Sequence, residues 1–137
     1  MSFVSLSAGT PLVCLALNLY HEARSEGVKG QLAVAEVTLN RVQSTNYPNT
    51  VCEVVKQTSK NGCQFSWYCD GKSDRPKDVT SWDQAIHVAR YALMDGVTLR
   101  STKGSTHYHA DYVRPYWAAS YRKVAKIGRH IFYRSKT

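Results

Sequence analysis

Thr10-Pro-Leu-Val-Cys-Leu-Ala-Leu-Asn-Leu-Tyr-His-Glu-Ala-Arg-Ser-Glu-Gly27 is the stretch from which the rest of the chain can be read. Thr10 can cap free backbone N–H groups and Pro11 fits the first helical position, so a helix starts there. Leu12, Leu15, Ala16, Leu19 and Ala23 recur at helical spacing, and Gly27 supplies a stop. Glu22 follows Leu19 by three residues and Leu15 by seven, which puts its carboxylate at the edge of the apolar stripe. Partial burial there raises a carboxyl pKa and suits it to act as a general acid near neutrality. Glu26, one turn further on, is a candidate modulator whose charge would push the same way. The competing reading of Glu22 is a helix-end glutamate paired with Arg24 or His21.

Outward from this helix, a second is expected from about Val28 to Val42, with Leu32, Ala35, Leu39 and Val42 buried. Thr50-Val-Cys-Glu53 has capping-box spacing and opens a short third helix ending near Gln57. Residues 58–80 are irregular but hold the aromatic cluster Gln64-Phe-Ser-Trp-Tyr68, and a long loop in a small domain is usually functional when it is ordered. Ser81-Trp-Asp-Gln84 caps a fourth helix carrying Trp82, Ile86, Ala89 and Leu93 and ending at Gly96. Ser105–Ala110 and His130–Arg134 read as strands that pair antiparallel. Between them Pro115 is expected to start a helix with Trp117, Tyr121, Val124 and Ala125 on its apolar side, and Gly128 turns the chain into the last strand. The result is one mainly helical α+β domain over residues 1–137 with a small antiparallel sheet.

The composition, 43% hydrophobic and 20% charged, is that of a globular protein, and no apolar run approaches the ~20 residues of a membrane span. Met1–Thr10 carries no Lys or Arg, so no cleavable leader is expected; synthesis in the cytoplasm of the producing cell follows. The net charge of +8 lies in the second half, which has 13 basic and 5 acidic residues against 5 and 5 in residues 1–70. From Pro115 onward Arg122, Lys123, Lys126, Arg129, Arg134 and Lys136 stand without a carboxylate, which implies either a face that attracts polyanions or a solvated basic surface. Cys14 lies in an apolar helical stretch and reads as a small core thiol. Cys52, Cys63 and Cys69 allow one disulfide whose pairing the sequence leaves open.

Six blocks in order carry a resemblance: Tyr20-His-Glu-Ala-Arg-Ser-Glu-Gly27, Gly30-Gln-Leu-Ala-Val-Ala-Glu-Val-Thr-Leu-Asn-Arg-Val42, Tyr47-Pro-Asn-Thr-Val-Cys52, Cys63-Gln-Phe-Ser-Trp67, Thr106-His-Tyr-His109 and His130-Ile-Phe-Tyr-Arg134. The chain resembles the SleB/CwlJ family of bacterial cell-wall hydrolases, known from spore-cortex lytic enzymes. It departs from the family's frequent Gly after the Ala-Arg pair, having Ser25. The resemblance implies a lysozyme-like or lytic-transglycosylase-like fold that cleaves peptidoglycan glycan strands, with Glu22 as the catalytic acid. The small size and basic C-terminal part suit a phage endolysin, made in the infected cell and acting as a monomer at the wall.

A two-carboxylate glycosidase needs acids on opposite sides of the scissile bond, ~5 to 9.5 Å apart. Glu22 and Glu26 project from one helix face and cannot flank a sugar; Glu36 and Asp70 are the remaining candidates, and nothing in their spacing marks either. A lytic transglycosylase needs only one glutamate, which protonates the glycosidic oxygen and then deprotonates the muramyl 6-hydroxyl; this outcome is preferred over hydrolysis. Sugar rings want flat apolar faces and amide partners, for which Gln64, Phe65, Trp67, His107, Tyr108 and Trp117 are the candidates. His107, His109 and His130 could together hold zinc, but the glycan chemistry needs none, so no metal or cofactor is expected. The basic residues would meet anionic envelope polymers. The competing classes are a nucleic-acid-binding module and a zinc hydrolase of the peptide stem. Against the first, the aromatic cluster lies in the charge-balanced half, and no nucleic-acid partner is expected.

Overall fold

A computed structural model describes residues 9–95 and 101–136. The helices are α1 (Pro11–Ala23), α2 (Val28–Gln43), α3 (Val51–Val55) and α4 (Val79–Asp95); the strands are β1 (Thr58–Ser59), β2 (Gly62–Cys63), β3 (His107–Ala110), β4 (Arg122–Ile127) and β5 (His130–Arg134). Two short 3₁₀ turns, Ser66–Cys69 and Tyr116–Ser120, complete the chain's regular structure among the described residues.

α1 is the central element. Thr10 Oγ1 accepts the Val13 N–H as the cap, and eight of its thirteen residues are buried, so apolar contact surrounds it rather than covering one stripe. α2, α3 and α4 pack around it. Leu15, Leu19, Val34, Val37 and Ile86 are fully buried in the shared core, and Phe132 brings the sheet onto it. The Tyr20 hydroxyl accepts the N–H groups of Lys77 and Asp78 and so fixes where α4 begins.

α4 begins at Val79 and not Ser81, because Asp78 is the capping side chain: its Oδ1 accepts the Ser81 N–H at 3.2 Å and its Oδ2 the Ser81 hydroxyl. The expected stop at Gly96 lies outside the described residues. The three-stranded sheet has order β3-β5-β4, all antiparallel, with His107 opposite Tyr133 and Ile127 opposite His130. The strand pair expected from sequence is therefore present.

Two expectations are corrected. The helix after Pro115 is only the turn Tyr116–Ser120, and Tyr121 onward is extended into β4. A two-residue hairpin, Gly128-Arg129, joins β4 to β5, and Gly128 at φ +58° supplies the backbone twist such a turn demands. Cys14 is not a free core thiol: it is bonded to Cys52, tying α1 to α3 across 38 residues. A second disulfide, Cys63–Cys69, closes the aromatic loop on itself.

Candidate active site

Glu22 is the penultimate residue of the central helix, so its carboxylate emerges where the core meets the sheet. The Tyr108 hydroxyl, delivered by β3, donates to its Oε1 at 2.6 Å. Burial is the largest influence and raises the Glu22 pKa above the ordinary glutamate value; the Tyr108 hydrogen bond and the charges of His130, His21 and Arg41 oppose it. The negative end of the α1 dipole pushes in the same direction as burial. Tyr108 itself is held well above its usual pKa by desolvation and by the adjacent carboxylate, so it remains a proton donor in this bond.

β3 is placed by the end of α2. Asn40 Nδ2 donates to the Ser105 carbonyl and Arg41 Nε to the Thr106 carbonyl, both at 2.8 Å. From sequence Arg41 reads as a dipole partner for its own helix; instead its guanidinium is buried, lies 5.0 Å from the Tyr47 ring centroid and 5.3 Å from that of Phe65, and leaves Nη1 without a hydrogen-bond partner. Desolvation lowers its pKa, with Tyr47, Tyr108 and Glu22 pulling it back.

Glu26 does not point at Glu22. Its Oε1 takes the Arg129 N–H at 2.8 Å and His130 Nδ1 at 2.9 Å, with the two side chains only 9% and 11% exposed. It clamps the β4–β5 hairpin to the α1–α2 junction, and His130 in turn meets the Tyr108 ring edge-on at 5.2 Å. Any influence of Glu26 on the acid passes through His130 and Tyr108. Glu36 and Asp70 are also engaged elsewhere. Glu36 is buried, its carboxyl accepts the Thr102 N–H and hydroxyl, and burial raises its pKa; Asp70 Oδ1 accepts the Lys72 N–H.

Of the candidate sugar contacts, Tyr108 touches Glu22 directly. Phe65 stacks on Tyr108 with centroids 6.5 Å apart, and Trp67 donates from Nε1 to Asn18 Oδ1 at 2.8 Å and stacks on His21. At 4% and 6% exposed, Phe65 and Trp67 form the wall behind the acid and offer no open ring face. Gln64 is exposed on the disulfide-closed loop. His107 and Trp117 lie in a second aromatic group with Tyr121, His109 and Tyr133. Desolvation, helped by Arg41, lowers the His107 pKa to about 4, so its imidazole is neutral at physiological pH. The three histidines do not converge: His107 bonds Thr106 Oγ1, His109 bonds the Tyr133 hydroxyl and His130 bonds Glu26. Sequence reasoning missed Arg41, Tyr47, Tyr121 and Asn18 as parts of the site. The polar pair Asn40-Arg41 in the last turn of α2 was the available signal for the first.

A cavity of about 860 Å³ opens beside this arrangement, sharing Tyr47, Thr106 and His107 with it. Neither Glu22 nor Tyr108 lines that cavity; a half-buried carboxyl that carries a hydroxyl donor is suited to proton transfer onto a bound ether or acetal oxygen.

The description of cell wall hydrolases matches the chain over residues 25–133. The chain belongs to the cell wall hydrolase family. This cell wall hydrolase is 32% identical over 120 residues to spore cortex-lytic enzymes of Halalkalibacterium halodurans and Bacillus cereus, across 86% of its own length and 33% and 42% of theirs. It thus spans between a third and a half of the curated relatives it matches. Its fold is similar to the catalytic domain of the germination-specific lytic transglycosylase SleB from Bacillus anthracis, with TM-score 0.69 and 28% identity over 94% of this chain and 100% of that one. The catalytic domain of the Bacillus cereus SleB protein is similar at TM-score 0.67 and 29% identity, covering 90% and 89%. The α+β, lysozyme-like fold class expected from sequence is thereby confirmed.

Proposed function

We propose that this cell wall hydrolase cuts peptidoglycan glycan strands between N-acetylmuramic acid and N-acetylglucosamine, with Glu22 as its single acid–base and 1,6-anhydromuramyl ends as products. The carrying observation is a half-buried Glu22 whose pKa is raised by desolvation and whose Oε1 is held by Tyr108, in a chain whose relatives include spore cortex-lytic enzymes and a lytic transglycosylase domain. Support for a single carboxyl comes from Glu26, Glu36 and Asp70, each committed to other partners.

In the first step protonated Glu22 gives its proton to the glycosidic oxygen and the muramyl C1–O bond breaks, leaving positive charge on the sugar. The carboxylate so formed is stabilised by the Tyr108 hydroxyl and by the Arg41 cation. In the second step it takes the proton of the muramyl 6-hydroxyl as O6 bonds to C1. Glu22 ends protonated, and no water is consumed. Exposed Gln64 and half-buried Trp117 are the sugar contacts on the rim, with Phe65 and Trp67 supporting from behind.

The place of action on this reading is the bacterial wall, whose anionic polymers the C-terminal cations would approach by long-range attraction. That attraction is smaller than the sequence implies, because Asp111 pairs with Lys126 at 3.4 Å and Arg129 at 3.5 Å. The test is Glu22→Gln, which keeps shape and accepts from Tyr108 but has no proton to deliver: lysis of purified walls is expected to fall by at least ~10²-fold. Near wild-type lysis by a folded variant would refute the proposal.

A further inference from the structure

Five of the six C-terminal cations, all but Lys123, fall into two groups. Lys126 and Arg129 share the single carboxylate of Asp111. Arg122, Arg134 and Lys136 instead line the 860 Å³ cavity, together with Asn40, Gln43 and Asn46, and among the described residues its lining contains no carboxylate side chain. Arg122 and Arg134 are direct partners in the β4–β5 register, so two like charges leave neighbouring positions on one sheet face, an arrangement that is unfavourable in a free strand pair. Arg134 Nη1 reaches only the Lys103 carbonyl at 3.5 Å, and Lys136 Nζ the Ala119 carbonyl at 3.3 Å. Neither bond offsets the charge. The volume lies within the range of small-ligand sites, and the walls are polar rather than greasy.

We propose that this cavity is a subsite for the carboxylate-bearing peptide stem attached to the lactyl ether of the muramyl residue being cut. The inference rests on the glycan-cleaving reading of Glu22. Position supports it along the chain: His107 lines the cavity and the next residue of β3, Tyr108, donates its hydroxyl to Glu22, so a wall of the cavity and the hydrogen-bond donor of the acid are consecutive positions. Chemistry supports it as well, since the sugar rings are uncharged and the stem carries the free carboxylates. Two arginines and a lysine match carboxylates by charge-assisted hydrogen bonds, and Asn40, Gln43 and Asn46 offer amide partners to a peptide backbone.

The experiment compares soluble glycan oligomers bearing stems, the same oligomers after the stem carboxylates are amidated, and oligomers stripped of stems, with wild type, Arg122→Gln/Arg134→Gln and Lys136→Gln. Wild type is expected to show a kcat/KM about tenfold higher on the stem-bearing oligomer than on the amidated one, carried by KM. The ratio should fall towards one in the double variant and to an intermediate value in Lys136→Gln. A second readout is equilibrium binding of a monomeric muramyl tripeptide with free carboxylates, which is expected for wild type and lost in the double variant. Binding without cleavage of any oligomer would overturn the role of Glu22 and leave the subsite standing. An unchanged ratio and unchanged binding in folded variants would overturn the subsite. Loss of stem preference that appears only when phosphate-rich wall polymer competes would overturn it too and assign the cations to that polymer.

Discussion

Gly128→Ala joins the β4–β5 hairpin and the Glu26 clamp in one perturbation. A Cβ built at Gly128 lies 2.7 Å and 2.8 Å from the two carboxylate oxygens of Glu26, at a backbone φ of +58°. The left-handed conformation alone costs roughly 1–2 kcal/mol for a residue with a Cβ. The carboxylate must also move, weakening its bonds to the Arg129 N–H and His130 Nδ1, and hydrogen bonds to a charged group contribute roughly 1.5–3 kcal/mol each. With part of that recovered by relaxation, the expected loss is about 3–5 kcal/mol. For a chain of this size that corresponds to a melting temperature lower by about 10–15 °C. The assay is urea and thermal unfolding of wild type, Gly128→Ala, Glu26→Ala and the double variant. With Glu26 truncated, Gly128→Ala should cost only the backbone share, so the cycle should return a coupling of about 2–3 kcal/mol. Additivity within ~0.5 kcal/mol would show that the hairpin and Glu26 are independent and would refute the clamp.

Tyr108→Phe removes a hydrogen bond that favours ionised Glu22, so its pKa should rise further; the fall in kcat with increasing pH should shift to higher pH while the maximum rate drops, as a pH–rate series will show. The raised Glu22 pKa means that stability from its protonated form is fully present below the ordinary glutamate value and is lost as pH rises through the raised one. Glu22→Gln should therefore unfold no lower than wild type at alkaline pH, checked by melting curves across pH. Replacing Cys14 and Cys52 by Ser should cost about 4 kcal/mol and replacing Cys63 and Cys69 about 2 kcal/mol by loop-closure entropy, with the second pair lowering activity more because its loop carries Phe65 and Trp67, measured by unfolding and wall lysis.

α1 was legible because cap and periodicity agree there, Thr10-Pro11 starting the helix, and β5 because His130–Arg134 is β-branched and aromatic. α2 was legible in extent, but of its expected stripe only Ala35 is buried and Leu32, Leu39 and Val42 are half-buried, since Ala33, Val34 and Val37 face the core. Glu22 was legible because the edge of a buried stripe is a local property of helical spacing. β4 was misread because Trp117, Tyr121, Val124 and Ala125 also satisfy a helical period. What decides the matter is pairing with β5 through the Gly128 hairpin, a contact that periodicity does not contain. Cys14–Cys52 was hidden for the same reason, since a separation of 38 residues carries no local trace of proximity. Arg41 ends a helix, where a cation ordinarily serves the dipole; only the position of Thr106 makes it the anchor of β3.

The most direct test is mass spectrometry of the fragments that the enzyme releases from purified peptidoglycan. A single acid–base at Glu22, returning its proton through the muramyl 6-hydroxyl, predicts 1,6-anhydromuramyl ends with no oxygen incorporated from labelled water. Reducing muramyl ends that carry the label would show that water attacks and that a second group activates it, and fragments cut only in the peptide would contradict the glycan chemistry altogether.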